Sequence, residues 1–263
     1  APTTGNGGFI ETSAAQVKIA ETAKISTLAS QGKQGNWLID PNDFNIGANG
    51  SSVADISGAS LGTALASNNV TIQTSNSTPT CTGIICGSGS SGNGDIFVNE
   101  AINWGGSGSS NRLTLNSYRN IYIKAPIDAT SNSANGKVSL LYGQGQADGK
   151  NDNSNEASYS FGLTAAGFSG SIKLNAGSNL ITQLGSGGIA KNYTVIASLG
   201  SAGSTSASDL QGINGGLTGN YALGNDIDAS ATSAWNAGAG FTPLSPFSGN
   251  FDGLGHDISS LII

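Results

Sequence analysis

The feature that most constrains this chain is an internal repeat of 25 residues within the segment 94–142. When the sequence is shifted by 25 residues, segment 95–102 (DIFVNEAI) falls on segment 120–127 (NIYIKAPI), apolar on apolar. The same shift places triplet 113–115 (LTL) on triplet 138–140 (VSL). Two separate strand-like segments agree on one period, which indicates a repeat architecture.

A third copy is predicted further along the chain. Segment 113–121 matches segment 172–180 at a shift of 59 residues. This alignment pairs Asn116 with Asn175 and Asn120 with Asn179. Asn suits a tight corner because it tolerates left-handed dihedrals and hydrogen-bonds its own backbone.

Each copy consists of two short strands that alternate apolar and polar residues around a Gly, Asn or Ser corner. Alternation places one row of side chains inside and the other outside. A unit this small cannot bury its inner row alone, so it must stack on the next copy. The sequence therefore predicts an all-β fold, a right-handed parallel β-helix or solenoid, with loops or hairpins outside the coil.

The repeat also predicts how the chain is divided. Residues 1–200 are expected to form β-helix turns, with excursions near 75–93 and 143–170. Residues 201–263 carry larger aromatic residues between Gly turns and are expected to continue the coil. The chain ends within an alternating strand at 258–263, so we expect it to be truncated there and part of a longer protein.

One short helix is predicted at the side of the coil. Ile56, Leu61 and Leu65 have roughly helical spacing within residues 55–67. Residues 20–36 favour strand and loop over helix, because Ser, Thr and Gly are spread through them.

Composition limits the possible partners. Of 263 residues, 40 are Gly, and 10 basic residues face 16 acidic ones, for a net charge of −6. The basic residues are scattered, which argues against nucleic acid or an anionic membrane as a partner. No apolar run is long enough to span a membrane, so we expect no membrane insertion. Only 10% of residues are charged, which suits an extracellular scaffold.

Two cysteines, Cys81 and Cys86, lie in a Gly-rich and Ser-rich segment. With no second pair and no His nearby, they make a poor metal site. A local disulfide in a protruding loop is preferred over two free thiols, and it would imply an oxidising compartment.

The chain resembles large bacterial exoproteins of the filamentous haemagglutinin family. The resemblance rests on GNGGFIETSAAQVKI, NWLIDPNDFNI, GDIFVNEAINW, NRLTLNSYRNIYIKAPI and NYTVIASLG, in that order. The segment 209–263 looks like one found in many of these exoproteins, on NYALGNDIDAS, WNAGAGFTPL and FSGNFDGLGHDISSL.

This resemblance implies a β-helical protein, secreted or on the cell surface of a Gram-negative bacterium. It implies two-partner secretion through an outer-membrane transporter and a role in adhesion, aggregation or biofilm formation. The family's N-terminal secretion domain is not evident, because 40–42 (DPN) only half matches its Asn-Pro-Asn signatures. The chain is therefore similar to the shaft beyond that domain.

The sequence indicates no catalytic residues, and we expect no metal and no cofactor. His256 is the single histidine, and a corner or surface position is favoured over a catalytic base. Asp226 and Asp228 lie two apart on a predicted strand and so point the same way, as weak candidates for binding a cation. Polysaccharide-cleaving β-helices need clustered carboxylates with Lys or Arg. No such cluster is found at a repeat offset.

Phe97 and Tyr122 are candidate glycan contacts, because the 25-residue register places one against the other. If they point outward, they suit stacking against sugar rings; an aromatic stack inside the coil or under a loop is the alternative. The preferred function is a segment of an adhesin that binds a host-cell or matrix glycan or a protein receptor. A polysaccharide-active enzyme and the stalk of a contact-dependent toxin are the alternatives.

Overall fold

The computed structural model describes residues 5–76, 92–106, 109–150 and 156–263. These residues form mainly β-structure, with one short α-helix, α1 (Gly58–Ala64), and 3₁₀ segments at Ser131–Ser133, Gln211–Gly215 and Ser230–Gly238. The strands in chain order are β1 (Phe9–Ser13), β2 (Asn36–Asp40), β3 (Phe44–Ile46), β4 (Asn69–Gln73), β5 (Ile96–Val98), β6 (Ile102–Asn103), β7 (Arg112–Asn116), β8 (Ile121–Ile123), β9 (Ile127–Asp128), β10 (Lys137–Tyr142), β11 (Tyr159–Phe161), β12 (Leu163–Thr164), β13 (Gly167–Phe168), β14 (Ile172–Lys173), β15 (Gly177–Leu184), β16 (Lys191–Ile196), β17 (Asn220–Leu223), β18 (Ile227–Asp228), β19 (Asn250–Asp252) and β20 (Ile258–Ser259).

Three sheets organise most of these strands. Within the described residues, the long sheet has nine strands in the order β1-β2-β4-β7-β10-β15-β16-β17-β19. The second sheet has the order β11-β8-β5-β3, and the third has the order β14-β9-β6. The chain visits the long, second and third sheets in that order three times, through β4-β5-β6, β7-β8-β9 and β10-β11-β14. The prediction of an all-β fold with parallel strands is confirmed.

The 25-residue register is also confirmed. In the long sheet Leu113 pairs with Val138, and in the second sheet Ile96 pairs with Ile121. Both pairings are parallel. Because side chains alternate along each strand, the in-register pairing stacks the inward apolar residues, such as Leu113 and Val138, on one another.

The predicted third copy is wrong in register. Ile172 pairs with Ile127 in the third sheet, not with the strand that carries Leu113. Leu180 pairs with Val138 in the long sheet. All three sheets use the same alternation of apolar and polar residues, so a pattern match cannot tell which sheet a triplet joins.

Within the part of the chain that the structure describes, the long sheet departs from parallel pairing where β15 and β16 run antiparallel. Beyond that hairpin, β16 pairs in parallel with β17, and β17 with β19. Backbone pairing therefore continues across residue 200. Among the residues that the structure describes, the buried apolar side chains form two clusters, of which the second lies after residue 195.

The core of the first cluster is filled by inward-facing side chains of the three sheets. Leu115, Ile121 and Ile127 come from the three different sheets and are fully buried. Trp37 and Trp104 are among the largest fully buried side chains of the described residues. The predicted helix is confirmed as α1, which begins after Ser57, whose side chain accepts a hydrogen bond from the N–H of Ser60 at 3.0 Å.

The two predicted excursions differ in what can be described. Most of 75–93 lies outside the described residues. In the second excursion, β12 and β13 form an antiparallel hairpin. Tyr159–Phe161, which precedes that hairpin, instead joins the second sheet as a parallel partner of β8.

A ladder of side-chain oxygens lines the corner that leads into the second sheet. Asp43 Oδ1 accepts the N–H of Asp95 at 2.8 Å. Asp95 Oδ1 accepts the N–H of Asn120 at 2.9 Å, and Asn120 Oδ1 accepts the N–H of Ser158 at 3.0 Å. Each side chain thus satisfies a backbone donor of the next copy, which sheet pairing leaves unmet at a corner.

Candidate functional site

The two aromatic residues predicted to contact glycans lie side by side on the outward face of the second sheet. Phe97 at the centre of β5 is the register partner of Tyr122 at the centre of β8, and both are partly exposed. Their ring centroids are 5.1 Å apart, and the ring planes differ by 10°. Asn45 and Ser160 continue the same outward row on either side. We call these four residues the aromatic row.

Lys124 lies beside the stacked pair. Its Nζ atom is 5.8 Å from the Phe97 centroid and 6.0 Å from the Tyr122 centroid. Nearly equal distances to two stacked centroids place the ammonium at the side of the pair, not centred over either outer face. A charged donor therefore stands next to the two rings.

The Phe97 ring also borders a surface depression of about 490 Å³. Asn45 Oδ1 accepts a hydrogen bond from Asn99 Nδ2 at 2.8 Å, and the Asn45 N–H donates to Asp55 Oδ2 at 2.8 Å. Burial raises the pKa of Asp55, opposed by that backbone hydrogen bond. An aromatic wall next to amides and carboxylates can hold the apolar face of a sugar and its hydroxyl groups. The long polar side chains of this depression are Gln16, Asn42, Asp43, Asn45 and Asp55.

The two candidate cation ligands, Asp226 and Asp228, are both exposed and flank the buried Ile227. Each carboxylate accepts a backbone hydrogen bond, Asp226 from a separate turn and Asp228 within its own loop. Asp226 Oδ1 accepts the N–H of Asp257 at 3.1 Å, and Asp228 Oδ1 accepts the N–H of Ser230 at 2.9 Å. These backbone hydrogen bonds are the main reason that the pKa of each carboxyl is lowered. Among the described residues, no three of His, Cys, Asp and Glu are grouped so as to hold a metal ion.

His256 joins two neighbouring parts of the fold. Its Nδ1 lies 3.1 Å from Asp226 Oδ1, and its Nε2 lies 3.0 Å from the carbonyl oxygen of Ile172. The side chain is only 7% exposed. Both ring nitrogens therefore lie within hydrogen-bond distance of an oxygen acceptor. His256 lies in a corner, as predicted, and its side chain links the 253–257 turn to β14.

Asp226 and His256 also border a second depression, of about 440 Å³. Asp128 on β9 and Lys173 on β14 are register partners in the third sheet, and their charged atoms are 3.6 Å apart. Burial would raise the pKa of Asp128, but hydrogen bonds from Thr130 and the charge of Lys173 lower it overall. We call this place the acidic depression; its charged and titratable lining side chains are Asp128, Lys173, Asp226, His256 and Asp257.

Sequence reasoning missed the acidic depression. The search for carboxylates with a basic residue was confined to repeat offsets, and the structure brings such residues together at another separation. Asp128 and Lys173 pair in register although 45 residues separate them, which is not the 25-residue period. The alignment at a shift of 59 had matched Lys173 to the wrong sheet. The sequence pattern did not show that β14 pairs with β9 in the third sheet, and that pairing is what brings Asp128 and Lys173 together.

The predicted disulfide between Cys81 and Cys86 lies outside the described residues. Within the residues that the structure does describe, no helix is both long and apolar enough to cross a membrane.

Comparison with known proteins gives one partial likeness. No protein-family model matches the chain. No solved structure matches it. The chain is similar to Halomucin of Haloquadratum walsbyi, at 48% identity over 67 residues. The match covers 21% of this chain and 1% of that protein.

Proposed function

We propose that this chain is a segment of a large secreted or cell-surface bacterial adhesin. In this proposal the full protein is exported by two-partner secretion and acts in attachment, aggregation or biofilm formation. Its partners are the outer-membrane transporter and a host-cell or matrix glycan or protein receptor. The sequence resemblance to filamentous haemagglutinin-type exoproteins supports the export route, and the partial likeness to a protein named as a mucin agrees with an extracellular location.

We further propose that the three sheets are the faces of one right-handed parallel β-helix. The repeated visit to the long, second and third sheets supports a coil. The right hand is the one that parallel strand crossovers adopt in nearly all proteins.

The observation that carries the adhesive function is the aromatic row. Two stacked rings point outward from a rigid sheet, with Lys124 beside them and amide and carboxylate groups of the neighbouring depression next to Phe97. Rigid strands hold these groups at a fixed spacing, so little ordering entropy is lost when a ligand binds. A glycan is the ligand that matches, because its ring presents both an apolar face and hydroxyl groups.

A glycan array probed with the purified chain tests this proposal. We expect saturable binding that weakens about tenfold in Phe97→Ala and in Tyr122→Ala, since a lost ring contact of about 1.4 kcal/mol has that effect. Phe9→Ala is the matched control, because Phe9 is an aromatic residue on a strand outside the aromatic row and 62% exposed. Equal loss in the control, or no binding to any glycan, would count against the proposal.

A polysaccharide-active enzyme is the second candidate, and the acidic depression favours it. Such reactions use a carboxylic acid and a carboxylate on the two sides of a glycosidic bond. Release of reducing ends from polysaccharides by the purified chain, abolished in Asp226→Asn and Asp128→Asn, would establish this activity. Asp148→Asn is the control, because the Asp148 side chain is 60% exposed and pairs with Lys150 outside the depression.

A further inference from the structure

A third depression lies at the edge of the second sheet, on the inward side of β11. Tyr159 and Phe161 are in register with Ile121 and Ile123, which are fully buried. Within the described residues β11 is the last strand of that sheet, so its inward row is uncovered on one side. Both aromatic residues are accordingly only partly buried, and the depression that they border measures about 430 Å³. The outward residue Ser160, between them, belongs to the aromatic row.

Three aromatic rings form the walls of this depression. The centroids of Tyr142 and Tyr159 are 5.0 Å apart, with ring planes at 78°. The centroids of Tyr159 and Phe161 are 6.2 Å apart, with planes at 85°. Rings set nearly at right angles are edge-to-face pairs, and all three residues line the same depression.

Two carboxylates accompany the rings. Glu156 is exposed and Asp252 is partly exposed, and both border the depression. Among the described residues that line it, none is Lys, Arg or His. The local charge is therefore negative and is not balanced by a basic side chain of the lining.

The Tyr159 hydroxyl donates a hydrogen bond to Asp252 Oδ2. Burial, followed by the Asp252 charge, raises the pKa of Tyr159, so the hydroxyl stays a donor. A phenol that donates to a carboxylate has a more electron-rich ring, which attracts a cation more strongly.

We propose that this depression binds an alkylated ammonium group, such as the trimethylammonium group of choline. The aromatic rings that line the depression supply cation–π contacts, and the two carboxylates balance the charge. This site is separate from the aromatic row and from the acidic depression, and it does not depend on the adhesive function.

Titration with choline chloride, followed by calorimetry and by the NMR shifts of the tyrosine rings, tests the proposal. The uncharged carbon isostere 3,3-dimethylbutan-1-ol and NaCl at matched ionic strength are the ligand controls. We expect saturable binding of choline and about tenfold weaker binding of the isostere. Phosphatidylcholine vesicles in a sedimentation assay distinguish a lipid headgroup from a soluble ligand, and binding of either form supports the site.

Variants separate the π contacts from simple packing. Tyr142→Leu keeps apolar bulk but removes a ring face, so choline binding should weaken about tenfold. Tyr142→Phe keeps the ring and should bind choline like the wild type. Glu156→Gln removes one charge from an exposed side chain and should weaken choline binding several-fold without affecting folding.

Three results would overturn the proposal. The first is choline and its isostere binding equally well. The second is no saturable binding of choline in solution or of phosphatidylcholine vesicles. The third is unchanged choline affinity in Tyr142→Leu or, if that variant fails to fold, in Glu156→Gln. Binding of neutral methyl glycosides in place of choline would assign the depression to sugars instead.

Discussion

Removing the Asp95 carboxylate should break the corner ladder at its middle. Asp95 is 5% exposed, and its Oδ1 accepts the N–H of Asn120, a residue that is 7% exposed. In Asp95→Ala that backbone donor has no acceptor and little access to water. An unsatisfied buried donor costs about 1–3 kcal/mol, so the free energy of unfolding should fall by that amount. Urea denaturation at pH 7, followed by circular dichroism, measures the loss.

Asp95→Asn is the matched comparison, because the amide oxygen can still accept the Asn120 N–H. It should lose about 1 kcal/mol or less at pH 7. Burial is the largest cause that raises the pKa of Asp95, opposed by the Asn120 hydrogen bond and the charge of Arg119. The folded state therefore holds this proton more tightly than the unfolded chain does.

The pH dependence follows from that sign. In the unfolded chain the pKa of Asp95 is about 4, and in the folded state it is higher. The wild type therefore loses stability as pH rises through the range between these two pKa values. Asp95→Asn has no such proton, so its stability relative to the wild type should increase over the same range. If Asp95→Asn destabilised the chain as much as Asp95→Ala at pH 7, the ladder would not act through its acceptor oxygen. A loss below about 0.5 kcal/mol in Asp95→Ala would refute the ladder's contribution altogether.

Two further predictions concern the core and the acidic depression. Leu115→Ala should lower the free energy of unfolding by about 2–5 kcal/mol, because Leu115 is fully buried among the three sheets. Urea denaturation measures this loss. A smaller loss would mean that the surrounding side chains collapse into the cavity left by Leu115. Asp226→Asn should flatten the loss of stability in acid, measured as thermal midpoint against pH. The N–H of Asp257, followed by His256, lowers the pKa of Asp226, and the stability linked to a lowered pKa is present above the unfolded value and lost as pH falls. If the thermal midpoint of Asp226→Asn fell in acid as steeply as that of the wild type, the contact between Asp226 and Asp257 would open before Asp226 is protonated.

Much of the local structure follows from the sequence. The alternation around Ile96 and Ile121 predicts both the strands and their 25-residue register, because a slip by one residue would turn every apolar side chain outward. The helix at α1 and the pairing of Phe97 with Tyr122 follow from spacing in the same way. What these patterns share is a short and regular separation along the chain.

The sequence by itself determined the strands of the 25-residue repeat and which of their side chains alternate inward, because both depend on local periodicity. Only the tertiary structure decided which sheet each strand joins, since Ile172 carries the same pattern whether it pairs with Ile127 or elsewhere. It also decided that Tyr159 reaches Asp252, a residue 93 positions away, and that Asp128 faces Lys173. Such contacts depend on how irregular loops shift the copies against one another, and no periodic signal in the sequence records the size of those shifts.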